Sequence, residues 1–117
     1  MAAVGCLLIL EPQPEIRDLI ALVARRLGHE PLTEITTPAR DIDAVVLEPE
    51  SFRALLGALK LRERSPELPI ICASIAPPSA KTAGLSPLAY LQKPFALGEL
   101  ERALTRALPA STSIDAA

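Results

Sequence analysis

Residues 43–49 read Asp-Ala-Val-Val-Leu-Glu-Pro, a run of apolar residues with an acid, Glu48, directly after it. A short apolar run bounded by charged residues and proline is typical of a strand buried on both faces of a parallel sheet. The arrangement recurs along the chain, and each time a polar residue closes or follows the predicted strand. Residues 6–10 precede Glu11, residues 70–73 precede Ser74, and residues 89–92 precede Lys93.

Helical periodicity occupies the segments between these strands. A first amphipathic pattern begins at Pro14 and stops at Gly28, residue types suited to the start and the end of a helix. Two further patterns have apolar faces formed by Phe52, Leu55, Leu56 and Leu59, after Ser51 as a cap, and by Leu97, Leu100, Leu104 and Leu108. Strands that alternate with helices predict an α/β fold with a parallel sheet and helices on both faces.

Two segments of the sequence are too short or too rich in breakers for long helices. Residues 31–35 favour a short edge strand, and the link that follows it is interrupted by Pro38. Residues 76–87 contain prolines and a glycine, which leave room for about one helical turn at residues 79–83. We therefore expect a five-stranded sheet whose second and fourth intervening helices are shortened or missing.

Composition limits the classes of function. The chain has 117 residues, is 50% hydrophobic and carries a formal net charge of −2. That size predicts one domain, at residues 1–109, with a flexible tail or linker start at 110–117. The charge argues against direct nucleic-acid binding, which usually needs a basic patch. The apolar stretch at residues 1–10 meets Glu11 too soon to be a signal peptide or a membrane span, so no membrane contact is expected.

Three side chains with reactive or metal-binding chemistry have ordinary structural interpretations. Cys6 and Cys72 lie in apolar runs and are interpreted as core thiols of a cytoplasmic protein, with a disulfide as the less favoured alternative. His29 has no metal partner at ligand spacing, and a solvated histidine at a helix end is the preferred interpretation.

The polar residues that close or follow the predicted strands are Glu11, Glu48, Ser74 and Lys93. Because the carboxyl ends of parallel strands meet at the same edge of a sheet, these side chains are expected to gather in the crevice where α/β proteins place their functional sites. The ordinary alternative is that the acids, the lysine and the hydroxyl are separate solvated groups at strand ends. A shared pocket predicts an ion pair between Lys93 and Glu48 or Glu11.

The spacing of these blocks resembles the receiver domain of two-component response regulators, over essentially the whole span from residue 6 to residue 108. The blocks are Leu-Leu-Ile-Leu-Glu-Pro at 7–12, Asp-Ala-Val-Val-Leu-Glu-Pro at 43–49, Pro-Ile-Ile-Cys-Ala-Ser at 69–74 and Ala-Tyr-Leu-Gln-Lys-Pro-Phe at 89–95. The resemblance implies a flavodoxin-like three-layer sandwich with strand order 2-1-3-4-5. It also implies a cis Lys93–Pro94 bond and places Tyr90 at the aromatic switch position.

The chain departs from the receiver pattern at the residues that carry the chemistry. Glu48 stands at the phosphoacceptor position, where the family has Asp, and Pro12 stands where the family has the second metal-binding acid. Losing one carboxylate and lengthening the others disfavours an octahedral Mg²⁺ site, so no cofactor is expected. The resemblance thus implies a degenerate receiver, or pseudo-receiver, that is not an enzyme.

Three functions remain in competition at the level of sequence. The first is a signalling module that binds a protein partner, or a second copy of itself, through the last helix and the fifth strand, without phosphorylation. The second is a phosphorylatable receiver, which would suit the N-terminal part of a DNA-binding regulator. The third is a small nucleotide binder, which the turn at residues 11–14 disfavours because it contains no glycine to admit phosphate.

Overall fold

The computed structural model describes residues 5–34 and 41–108, within which strands and helices alternate except where the second strand is followed by the third. The nine elements are β1 (Cys6–Leu10), α1 (Pro14–Arg26), β2 (Glu30–Leu32), β3 (Ala44–Leu47), α2 (Phe52–Arg64), β4 (Ile70–Ser74), α3 (Ala80–Ala83), β5 (Ala89–Gln92) and α4 (Leu97–Ala107). The sheet is parallel throughout, with the order β2-β1-β3-β4-β5. The predicted flavodoxin-like architecture is confirmed.

The sheet separates two apolar layers. Side chains that alternate along β1 and β3 point to opposite faces, so Leu7 and Ile9 pack with α1 and α4 on one side, whereas Leu8 packs with α2 on the other. The central strands are buried on both faces, which is why their sequences are continuous apolar runs instead of alternating ones. The largely aliphatic core therefore packs against both faces of β1, β3 and β4.

Helix boundaries follow local chemistry that the sequence shows. Pro14 is the first residue of α1, and Gly28 follows the helix with a φ of 86°, which favours glycine. The hydroxyl of Ser51 accepts a hydrogen bond from the backbone N–H of Ala54 at 3.3 Å and caps α2 as expected. Pro14 and Ser51 therefore fix where α1 and α2 begin, and with that where the loops before these helices end.

The shortened elements differ from the expectation in detail. The edge strand is Glu30–Leu32, shifted towards the N-terminus from the expected residues 31–35, and Ile35 lies outside the described residues. α3 has four residues, as the prolines around it predict. Residues 33, 34 and 41–43 are not helical. The remaining link at 35–40 and the predicted tail at 110–117 lie outside the described residues.

Arg62 stabilises the region of the short α3 in a way that the sequence did not reveal. Its guanidinium donates to the carbonyl oxygens of Leu85 at 2.9 Å and Pro66 at 2.7 Å. It thereby joins the end of α2 to the loop between α3 and β5. Several fixed donors on one planar group suit this role, because they can satisfy backbone carbonyls of two loops at once.

Two helical faces are less buried than their periodicity predicts. Leu55 is buried and Leu59 packs against the core, but Phe52 is 72% exposed and Leu56 is 42% exposed. Leu97 at the start of α4 is also exposed. Phe52, Leu56 and Leu97 belong to the periodic patterns that predicted these helices but lie outside the core, because each apolar pattern is wider than the strip that the helix presents to the sheet.

Within residues 5–34 and 41–108, none of the helices combines the length and the apolar character that crossing a bilayer requires.

The amino-terminal edge of β1 holds a buried histidine. Contrary to the expectation of a solvated side chain, His29 is buried, and its Nδ1 accepts a hydrogen bond from the backbone N–H of Gly5 at 3.2 Å. Burial lowers the pKa of His29, although the nearby negative charge of Asp43 opposes that shift. His29 is therefore held as a neutral acceptor, since a protonated imidazole has no lone pair to offer.

We expect the unfolding free energy to decline as the pH falls below about 6.5, the pKa of His in an unfolded chain. Because the pKa is lowered on folding, the unfolded chain binds more protons in this range, and stability rises with pH. Replacing His29→Asn keeps an acceptor oxygen near Nδ1 without a titrating group. Urea unfolding between pH 5 and pH 7 should then show a flatter dependence for the variant; identical slopes for both proteins would assign the effect to other groups.

Candidate functional site at the carboxyl edge of the sheet

Register brings the predicted site residues together. β1 and β3 end side by side with Leu10 opposite Leu47, and β4 and β5 end with Ser74 opposite Gln92. The ladder continues for one residue beyond the strands, because the N–H of Glu48 donates to the Leu10 carbonyl at 3.0 Å. The residues that follow β1, β3 and β5 therefore start from neighbouring points of one edge.

Lys93 occupies the centre of this edge between two carboxylates. Its Nζ donates to Glu11 Oε1 at 2.9 Å and to Glu48 Oε1 at 2.9 Å. The three side chains are almost enclosed, with exposures of 8% for Lys93, 1% for Glu11 and 12% for Glu48. The predicted ion pair is thus confirmed with both acids, and the Lys93–Pro94 bond is cis, as expected.

The second oxygen of each carboxylate is held by the backbone of its own loop. Glu11 Oε2 accepts from the N–H of Gln13 at 3.2 Å, and Glu48 Oε2 accepts from the N–H of Glu50 at 3.0 Å. Each acid therefore closes a local turn with one oxygen and binds Lys93 with the other. Such turns fix the direction of a carboxylate without help from a metal.

The attraction between Lys93 and its carboxylates outweighs the effect of burial on the pKa values of Lys93 and Glu48. Desolvation alone would lower the pKa of Lys93, but hydrogen bonds to Glu48 and Glu11 raise it above its usual value. Desolvation alone would raise the pKa of Glu48, but hydrogen bonds from Lys93, the Glu50 backbone and Ser74 lower it. The lysine and Glu48 both stay ionised at neutral pH.

Ser74 and Tyr90 form the other half of the edge. Ser74 is fully buried, and its Oγ accepts from the N–H of Ala76 at 3.2 Å. The hydroxyl of Tyr90 donates to the carbonyl oxygen of Ala76 at 2.6 Å. Burial raises the pKa of Tyr90, so the phenol keeps the proton that it donates. Loop residue Ala76 is therefore tied to both predicted pocket residues.

The donor set does not fit a hard divalent cation. Pro12 is exposed and contributes no side-chain oxygen, and the oxygens of Glu11 and Glu48 that face the pocket are bound by Lys93. Among the described residues, no group of three or more His, Cys, Asp or Glu side chains is arranged to hold a metal ion. Mg²⁺ would have to displace the ammonium and would still lack a third carboxylate.

Two features around the site were not predicted from the sequence. Lys81 of α3 forms an exposed ion pair with Glu50 at 2.9 Å, joining the loops after β3 and β4. A groove of about 520 Å³ lies beside the site. Its lining includes Leu10, Pro12 and part of α2. No sequence pattern predicts the ion pair or the groove, because both depend on the path that the loops take after leaving the sheet.

Comparisons with known proteins establish the fold. No protein-family profile matches the sequence, and no curated protein matches it. Among solved structures, the chain is similar to the chemotaxis protein CheY4 of Vibrio cholerae, with a TM-score of 0.76 and 17% identity over 91% of this chain and 100% of that one. It is also similar to the response regulator TrrA of Thermotoga maritima, solved with Mg²⁺ and a beryllium fluoride group (TM-score 0.73, 20% identity, 90% and 100% covered).

A third similar structure is the magnesium-bound receiver domain of a sensor histidine kinase from Pseudomonas aeruginosa. Its TM-score is 0.70 and its identity 20%, over 90% of this chain and 98% of that one. The fold of this chain is therefore that of receiver domains. At such low identities the similarity supports the backbone fold alone, and the chemistry of the pocket has to be argued from this chain's own residues.

Proposed function

We propose that the chain is a receiver-like module of two-component signalling that works by protein–protein interaction without being phosphorylated. The observation that carries this proposal is the position of Lys93, whose ammonium lies 2.9 Å from both Glu11 and Glu48. Glu48 then acts as a structural anion at the position of the phosphoacceptor. Pro12, Ser74 and Tyr90 complete a pocket that no longer performs phosphoryl transfer.

The charge balance supports this function. Two carboxylates face one ammonium, so the pocket already carries an excess negative charge. A phosphoryl group on Glu48 would carry roughly 1.5 to 2 negative charges in place of the single charge of the carboxylate, beside Glu11 and with no metal site to neutralise them. The side chains of Cys6 and Cys72 are both buried among apolar residues, which suits core thiols in a reducing, cytoplasmic setting. Burial raises the pKa of Cys72 to about 11, so it is not a nucleophile.

Tyr90 supports a module with a single populated conformation. Its hydroxyl donates to the Ala76 carbonyl at 2.6 Å, and Ser74 is bound to the same residue, so both side chains already have partners within the domain. A partner can shift an equilibrium only through different affinities for two states. With one state populated, partner binding depends on the composition of the surface and not on the charge of the pocket.

The partner surface proposed for this function is the face formed by α4 and β5. Leu97 at the start of α4 and Leu88 before β5 are exposed, and apolar residues in such positions favour contact with a protein or a second copy of the chain. The competing function, a phosphorylatable receiver that forms part of a DNA-binding regulator, requires Mg²⁺ at the pocket. A magnesium titration therefore separates the two.

We expect isothermal titration of the protein with Mg²⁺ to show no saturable heat, because the pocket lacks a third carboxylate and Lys93 holds the other two. The double variant with Pro12→Asp and Glu48→Asp restores the receiver's donor set and should regain weak binding. Replacing Glu50→Asp changes an exposed acid of the same loop and serves as the matched control. Binding by the unchanged protein as tight as by the double variant would contradict the proposal.

A further inference from the structure

The outward face of α2 carries an apolar pair that the fold does not use. Phe52 and Leu56 lie one helical turn apart and are 72% and 42% exposed. At 100° per residue their side chains share one stripe, on the side of the helix away from the buried residues Ala54, Leu55 and Ala58. A phenylalanine with this exposure removes little apolar surface from water and contributes little to the stability of the folded domain.

A groove adjoins this stripe along α2. The groove has a volume of about 520 Å³. Around the helix axis, Arg53 lies between the apolar stripe and the groove, and its side chain lines the groove. Gly57 lines the groove, and a Cβ there would meet only Leu10 Cδ1, at an ordinary contact distance of 3.6 Å, so that an alanine would fit without filling the groove. The full lining is Leu10, Pro12, Thr33, Glu34, Ser51, Arg53, Ala54 and Gly57.

The charges on this face of α2 are mostly positive. Arg53, Lys60 and Arg64 are exposed on the helix, and the acids near them are Glu63 on the helix and Glu34 in the groove lining, although the whole chain carries a net charge of −2. None of the three cations forms an ion pair with a residue in the described part of the chain. The helix therefore presents a cationic, partly apolar strip on a protein that is otherwise acidic.

We propose that Phe52, Leu56 and the adjoining groove form a docking site for an acidic amphipathic helix of a partner protein. The apolar stripe and the groove fit the apolar anchors of such a helix, and Arg53, Lys60 and Arg64 fit flanking acids. This surface belongs to the layer of α2, across the sheet from α4. It is thus a second binding surface, independent of the α4 and β5 face, and would let the module join two proteins.

The test uses a synthetic helical peptide as the probe. About 18 residues suffice for a helix, with leucines at i, i+3, i+4 and i+7 and glutamates on the flanks. A second peptide has the same leucines with lysines in place of glutamates. Fluorescence anisotropy at low salt should show binding of the acidic peptide and at least tenfold weaker binding of the basic one. Absence of acidic-peptide binding up to ~1 mM would overturn the proposal.

Variants of the protein locate the binding site. Charge reversal with Arg53→Glu and Lys60→Glu, and truncation with Phe52→Ala, should each weaken acidic-peptide binding at least tenfold. Gly57→Trp should plug the groove, whereas Gly57→Ala, whose Cβ fits, should bind within about twofold of the unchanged protein. Leu97→Ala alters an exposed leucine on α4 and should have no effect. Circular dichroism and thermal unfolding verify that each variant is folded.

Two other occupants of the face give different results. A second copy of the chain would appear as a dimer in sedimentation that Phe52→Ala dissolves, and an anionic membrane as binding to phosphatidylserine vesicles that charge reversal abolishes. The proposal would be overturned if the dimer or the vesicle binding were observed and the acidic and basic peptides bound with equal affinity. Loss of binding in Leu97→Ala would instead place the peptide on the α4 face and would also overturn it, without bearing on the function proposed for the pocket.

Discussion

Replacing Lys93→Ala is expected to lower the unfolding free energy by about 3–5 kcal/mol, because it leaves two buried carboxylates facing each other without a counterion. The ammonium is 8% exposed and is bound at 2.9 Å by both Glu11 and Glu48. Domains of this size have total stabilities of about 5–15 kcal/mol, so the loss would remove a large part of the total. Urea unfolding with linear extrapolation measures it.

The chain provides a matched control at its surface. Lys81 forms an ion pair with Glu50 at the same distance of 2.9 Å, but both side chains are 47% exposed. Replacing Lys81→Ala should cost about 0–1 kcal/mol, since solvent and salt screen the pair. Equal costs for the two replacements would show that burial of the Lys93 site has no energetic consequence and would contradict the account.

A compensating variant separates charge from packing. Combining Lys93→Met with Glu11→Gln and Glu48→Gln removes all three charges while keeping side chains of similar length. It should recover most of the stability lost in Lys93→Ala, because replacing a buried ionic cluster by neutral groups is often neutral or stabilising. If the triple variant is as unstable as Lys93→Ala, the loss arises from packing and not from unpaired charge.

Much of the fold and the position of the site could be predicted from the sequence. The continuous apolar runs that become β1, β3 and β4 are too short for ordinary helices, and each is closed by a polar residue. In a parallel sheet these closing residues must share one edge, which is why the contact of Lys93 with Glu11 and Glu48 was predictable. Strand order came from the resemblance to receivers and not from the residues themselves.

What could not be predicted depends on how elements are placed in space. Phe52 and Leu56 fit the helical period, but α2 turns them away from the sheet, and periodicity alone does not fix that rotation. His29 follows Gly28 in sequence and looked solvated, yet the return of the chain into β2 packs it against Gly5. The groove beside α2 likewise depends on how Thr33 and Glu34, after β2, lie against the start of α2, which no sequence pattern fixes.

Exposure to a phosphodonor tests the central claim, because a working receiver and a module that acts without phosphorylation give opposite results. A receiver takes up a phosphoryl group through a metal-assisted reaction at an aspartate. Here Glu48 is held by Lys93 and by the Glu50 backbone, and Pro12 supplies no metal ligand. We expect no phosphorylation of this protein. The double variant with Pro12→Asp and Glu48→Asp restores the receiver's residues at both positions and serves as the matched comparison.

The most direct measurement is intact-mass spectrometry of the protein after incubation with Mg²⁺ and acetyl phosphate. A receiver that accepts phosphate from the same donor verifies the conditions. The account predicts that the mass of this protein stays unchanged and that no hydroxylamine-sensitive phosphate forms. A stoichiometric gain of one phosphoryl group, mapped by fragmentation to Glu48, would contradict it.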